Sequence, residues 1–249
     1  MDNNALIDQI KEYEDEYKTF MEIKDFPSYN IQTKVASAET AQNQGFESIA
    51  CADYNTEANS HMLTVSNNLT LVKHVVFHEF THILDSEIYV NGDKVRYMGI
   101  SGFTEYHASQ IELLNLLGAK SNSEILQFSM NDTIETLMGV KTVQQYIDEK
   151  QQHSIDLFGR KDFPASIDVL KSSVGIMFNY FGLRSICELY ATDYNENINN
   201  QAYMKFISTQ QFTAINNLMH GWLDGPKINL SILLYNSVMM SIIKGYRLI

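Results

Sequence analysis

Cysteine is nearly absent from this chain. Cys51 and Cys187 are its only thiols, far apart in sequence, so neither a disulfide framework nor a C-x-x-C metal pair is available. Basic residues are scarce as well: 18 Lys and Arg stand against 30 Asp and Glu, for a net charge of −12, and no basic cluster occurs. Binding to phosphate backbones depends on Lys and Arg neutralising phosphates, so nucleic acid is not an expected partner. The start, Met1-Asp2-Asn3-Asn4 followed by an acidic stretch from Glu12 to Glu16, lacks the basic head and apolar core of a secretion signal. A cytoplasmic location is the expectation. Long apolar runs are missing too. Ile228 to Ile243 is uncharged but falls short of the ~20 residues of a spanning helix and carries Asn229, Ser231, Asn236, Ser237 and Ser241. It reads as a core helix, with no membrane expected. No fixed-period repeat is visible.

What the chain does hold is His78-Glu79-Phe80-Thr81-His82. Histidines four apart share one helical face, close enough to hold one metal ion, and the Glu between them can reach water beside that metal. From seven histidines and sixteen glutamates, the number of chance H-E-x-x-H matches is on the order of 0.01. Leu71, Val72, Val75, Val76, Phe80, Ile83 and Leu84 supply an apolar stripe for the helix, and Asn68 or Thr70 is placed to cap it. Five of the seven histidines, His61, His74, His78, His82 and His107, fall between residues 61 and 107. The bland alternative is a pair of histidines hydrogen-bonded inside a packed helix.

With 45% apolar residues the chain can bury a sizeable core. Residues 5–24 read as an amphipathic helix built on Leu6, Ile10, Tyr13, Tyr17, Phe20 and Met21 and ending before Pro27. Ser48 to Tyr54 and Ser60 to Ser66 read as a hairpin, with His61 to Val65 as the edge strand that would hold an extended peptide. Asn91-Gly92 marks a tight turn within a polar loop or small hairpin from Asn91 to Lys94. A second helix is expected from Ser101 to Leu117, capped by Ser101 or Thr104 and ended by Gly118. Beyond Ser121 the pattern is helical over Asp132–Lys150, Pro164–Phe181 and Ile228–Tyr246, with Asp162 capping the helix that Pro164 opens. Asn195 to Asn200 reads as a surface loop.

A catalytic zinc needs three protein ligands and one open position. Ile88 and Asp85 stand where one class of zinc peptidases has its third His and preceding Gly, which excludes that arrangement. A Glu from the following helix is the alternative. Glu105 fits best, followed three residues later by Ala108, which leaves room for two helices to approach. Its bland reading is an acidic residue at a helix start. Glu112, two turns on, and His107 compete with it. Asp93 and Glu87 sit near the turn and read as solvated. Asp85 is placed to orient a ligand histidine. His74, one turn before His78, reads as a packed or supporting residue, because a straight helix cannot bring three successive turns to one ion. Tyr106, His107 and the more distant Tyr97 are candidate donors to a developing oxyanion.

Thr70 to Asp85 together with Thr104-Glu105-Tyr106-His107-Ala108 resembles the gluzincin peptidases, and among them the ImmA/IrrE-like group and related metallopeptidases of phages and mobile elements. The likeness covers roughly residues 48–118. It implies His78, His82 and Glu105 as zinc ligands and Glu79 as general base. It also implies an α+β fold, mainly helical and zincin-like, with a small antiparallel sheet beside the motif helix. Residues 1–120 would form the metallopeptidase core with its N-terminal helix and 121–249 a helical region completing the cleft, either as a second part or as one compact domain with the first. The long helical second half departs from the group, so its substrates do not transfer. The expected reaction is hydrolysis of a peptide bond in a peptide or protein substrate, with zinc as cofactor. The rival is a non-catalytic interaction or regulatory protein that keeps the zinc helix as scaffold. Retention of Glu79 argues against it, since a structural site has no use for an acid beside its ligands.

Overall fold

The computed structural model describes residues 3–37, 48–164, 166–196 and 200–246. The architecture is α+β and mainly helical. Its contacts group the chain into two compact units, Met1–Tyr97 with Ile111–Ile125, and Met98–Gln110 with Leu126–Ile249.

In the first unit, helix α1 (Asn3–Phe20) buries Leu6, Ile10, Tyr17 and Phe20, the stripe expected from the sequence. That face packs on helix α2 (Lys73–Tyr89), which carries the H-E-x-x-H motif. The Tyr17 ring meets Phe77 and Phe80 edge-on at 5.2 and 5.4 Å. The Thr81 hydroxyl donates to the Phe77 carbonyl at 2.8 Å, which leaves its oxygen to accept from Tyr17 at 3.0 Å. Burial raises the pKa of Tyr17, so this buried bond keeps its donor. Neither Asn68 nor Thr70 caps α2. The N-cap is Val72, without a side-chain bond, while the Asn68 amide accepts from the Ala36 N–H and donates to the Ala36 carbonyl. Two bonds to extended backbone outcompete the single bond of a cap.

Strands β1 (Tyr29–Lys34), β2 (Ala50–Asn55) and β3 (Ser60–Ser66) form a sheet in the order β1-β3-β2. The hairpin β2-β3 is antiparallel, with Ala52 opposite Leu63, and β1 adds itself parallel to β3. The expectation that His61 to Val65 forms an edge is therefore corrected. β3 is central, and β1 and β2 are the two edge strands of this sheet among the described residues. Hairpin periodicity identifies two strands but not which of them a third strand joins.

The Asn-Gly turn is present, with φ of 47° at Asn91 and 78° at Gly92, and the Gly92 N–H donates to the Tyr54 hydroxyl. Helix α3 then runs from Lys94 to Leu116, beginning seven residues before its expected start. Asp93, expected to be solvated, caps it by accepting from the Val95 and Arg96 N–H groups, and Ser101 and Thr104 lie within the helix. Lys94 belongs to α3, so the polar stretch is a turn leading straight into a cap and not a longer loop.

In the second unit, β4 (Thr133–Thr136) and β5 (Gly139–Thr142) pair antiparallel where a helix from Asp132 was expected. β-branched residues at 133, 134, 136, 140 and 142 favour the hairpin, and Gly139 takes a φ of 99° at its turn. Helix α4 (Val143–Phe158) follows with a capping box between Thr142 and Gln145. Helix α5 (Ile167–Tyr190) is apolar around most of its circumference and almost wholly buried from Val169 to Cys187. Ser166 caps α5, whereas Asp162 pairs with Arg160. The Asn195–Asn200 loop lies outside the described residues over 197–199, and Asn200 opens the short helix α6 (Asn200–Tyr203). Helix α7 (Thr209–Leu218) leads to α8 (Gly225–Tyr246), whose Ile228, Tyr235, Val238 and Ile242 are buried. At 22 residues α8 is longer than expected and is long and apolar enough to cross a membrane by length and composition.

Fully buried Arg184 of α5 organises the end of this unit. It pairs with Glu188 and Glu196 and donates to the Asn216 and Met219 carbonyls, with the Phe181 ring 4.8 Å away. Arginine tolerates such burial because its charge is paired with the two carboxylates and its terminal nitrogens donate to fixed acceptors.

Candidate metal centre

The rings of His78 and His82 stand one turn apart on α2 with centroids 4.8 Å apart and planes at 72°. A carboxylate oxygen of Glu105, on α3, joins them: one ligand atom from each of the three residues lies within 4.8 Å of the others. Two imidazole nitrogens and one carboxylate oxygen are donors of the kind that divalent metal ions take. These residues can therefore hold a metal ion.

Glu105 sits in the fourth turn of α3, not the first as its expected place at a helix start required. The macrodipole acts within the first turn, so it gives no reason for an acid at this position. Glu112, the competing candidate, has a different place. Its carboxylate accepts from Nδ1 of His78 at 2.8 Å, with the two side chains only 12% and 8% exposed. That bond assigns the proton to Nδ1 and leaves Nε2 of His78 as the metal-binding lone pair. His107, the third candidate, stacks on Phe103 at 5.6 Å and meets the edge of Trp222 at 6.0 Å.

Glu79 is held by the sheet. Its Oε2 accepts from the Ala52 N–H at 2.7 Å, so this amide points away from β3 and toward α2. Two residues along the same outer edge of β2, the Tyr54 N–H donates to the Tyr97 hydroxyl at 3.4 Å. Burial raises the pKa of Tyr97, and the hydroxyl stays protonated at neutral pH.

The remaining candidates are placed as follows. Asp85 is 1% exposed, and its charge raises the pKa of Tyr17 and Tyr89 behind burial as the main cause. His74 is buried. The Tyr106 hydroxyl donates to the Gly221 carbonyl, and burial raises its pKa. Glu87 is exposed and bonds His61 Nε2 at 3.0 Å. Sequence reasoning missed the Ala52 amide, because a backbone donor leaves no mark in residue identity. It also missed Gly175 of α5, where an added Cβ would stand 3.2 Å from Glu105 Oε1.

No protein-family model, curated protein or solved structure matches this chain.

Proposed function

We propose that the protein is a zinc-dependent metallopeptidase of the gluzincin type, with His78, His82 and Glu105 as ligands and Glu79 as general base. The observation that carries this reading is the convergence of the three ligand atoms within 4.8 Å, with an acid from the same helix oriented beside them by a backbone amide. A site that served structure alone would gain nothing from an oriented carboxylate and would close its fourth position with a further ligand.

When bound, the zinc supplies Lewis acidity to water and to the scissile carbonyl. Glu79 takes the proton released by the attacking water and delivers it to the leaving amine nitrogen. The Ala52 N–H holds one oxygen of its carboxylate. Glu112 keeps His78 in the tautomer that presents Nε2. A peptide or protein is the fitting substrate class, because the acid that would serve as base is held in place by the Ala52 amide of the sheet.

The test is Glu79→Gln. We expect the purified variant to bind zinc as the parent does and to lose cleavage of an unstructured protein substrate by at least about 100-fold. Cleavage that continues unchanged in Glu79→Gln would overturn the reading.

A further inference from the structure

We propose that Gly175 is a positioning residue for the metal centre: the missing side chain at this point of α5 makes the seat in which the Glu105 carboxylate stands. The inference rests on Glu105 being a ligand, but not on the reaction that the centre performs.

Two glycines one heptad apart, Gly175 and Gly182, lie close to α3, but they meet different things. A Cβ at Gly182 would fall 2.1 Å from the Tyr106 carbonyl oxygen and 3.0 Å from the Ser109 Cβ. That glycine is required by the close approach of the two helices. A Cβ at Gly175 would meet three atoms of a single side chain, Glu105 Oε1 at 3.2 Å, Cδ at 3.5 Å and Cγ at 3.6 Å. Here the nearest atoms include no backbone. The space left by Gly175 is filled by the Glu105 side chain, and a helix interior otherwise favours alanine over glycine.

A second wall of the seat comes from α8. Tyr235 is 3% exposed, and its ring edge comes within 2.8 Å of where a Cβ at Gly102, one turn before Glu105, would stand. Burial raises the pKa of Tyr235, and the charge of Glu105 adds to that rise. The helical region from Leu126 onward thus acquires a role. Glu105 belongs to the same compact unit as Gly175 and Tyr235, and that unit fixes where its carboxylate is presented. A metal ligand displaced by a few tenths of an ångström binds less well, while the fold that carries it is undisturbed.

The test uses the full chain, zinc affinity by chelator competition, and the visible absorption spectrum of the cobalt-substituted protein. Gly175→Ala is expected to weaken zinc about 10-fold and to change the cobalt spectrum, while the metal-free protein melts no lower than the parent. In a Glu105→Ala background, adding Gly175→Ala should cost nothing further, because the residue acts through Glu105. Gly175→Ser places the same Cβ and should repeat the loss. Parent-like affinity and spectrum in both variants, or an equal loss with and without Glu105, would overturn the assignment. A parent protein that binds neither zinc nor cobalt would instead remove the metal centre itself.

Discussion

Two glutamates of α3 divide the work around His78 and His82. Glu105 brings an oxygen to the imidazole nitrogens, and Glu112 binds the far side of one imidazole. Their removal should therefore differ in degree. Glu105→Ala takes away one of the three proposed ligands and should weaken zinc binding by more than about 100-fold, whereas Glu112→Ala removes only the group hydrogen-bonded to the ring of His78 and should cost about 10-fold. Chelator competition on the two variants measures the order directly, and the reverse order would exchange their roles. Spacing from the second histidine could not separate these residues. They lie seven positions apart, two helical turns, so both fall on a similar face. Which one reaches the ligands depends on where α3 begins and how it is inclined.

At the scale of elements, the sheet edge is the part that acts on chemistry. The Ala52 amide serves Glu79 and takes no part in the ladder with β3. Proline is tolerated on an edge strand at such a position, so Ala52→Pro deletes this donor and leaves β2 paired. Steady-state kinetics should show kcat reduced by about 10- to 100-fold, the worth of a hydrogen bond to a charged group, with zinc affinity unchanged. A variant as active as the parent would show that the amide does not orient the base. Helix α4 carries a different sensitivity. His153 has its pKa lowered, chiefly by burial and then by Lys150. The unfolded chain therefore takes up that proton first as pH falls, and stability drops as pH passes downward from about 6.5. Denaturant midpoints between pH 7 and pH 5 should fall less steeply in His153→Gln than in the parent.

For the molecule as a whole, metal binding and folding are linked. Zinc held by the native state alone, at 100 times its dissociation constant, would add about 2.7 kcal/mol. For a chain of this length that raises the melting temperature by roughly 5–10 °C. Calorimetry with and without zinc should show this rise in the parent and none in a His78→Ala/His82→Ala variant; equal shifts in both would place the ion elsewhere. The net charge of −12 works in the same direction, since a divalent cation reduces repulsion within an acidic chain.

Much of the fold was legible in the sequence where a local rule fixes the outcome. Tyr17 and Phe20 fall on the buried face of α1, Asn91-Gly92 adopts positive φ at both positions, and Ser60 to Ser66 forms a strand. Strand β1 was not among the expected elements, and its alternation, with Tyr29 and Ile31 less exposed than Asn30 and Gln32, shows only in the packed structure. The errors fell where local signals compete. Asp93 outcompeted Ser101 as a cap because a carboxylate accepting two N–H groups at the first turn lets the helix start earlier. The β4-β5 hairpin was hidden because its short strands run directly into α4, whose capping box begins at Thr142.

The meeting of His78 and His82 was determined by sequence alone, because helical periodicity converts a spacing of four into a shared face. The positions of Glu105, Glu112 and the Ala52 amide were decided only by tertiary structure, because each depends on how α3 or β2 approaches α2 and no periodicity encodes an approach. Gly175 belongs to the same kind. A glycine inside a helix states that room is needed, and only the packed structure shows that the Glu105 side chain occupies it.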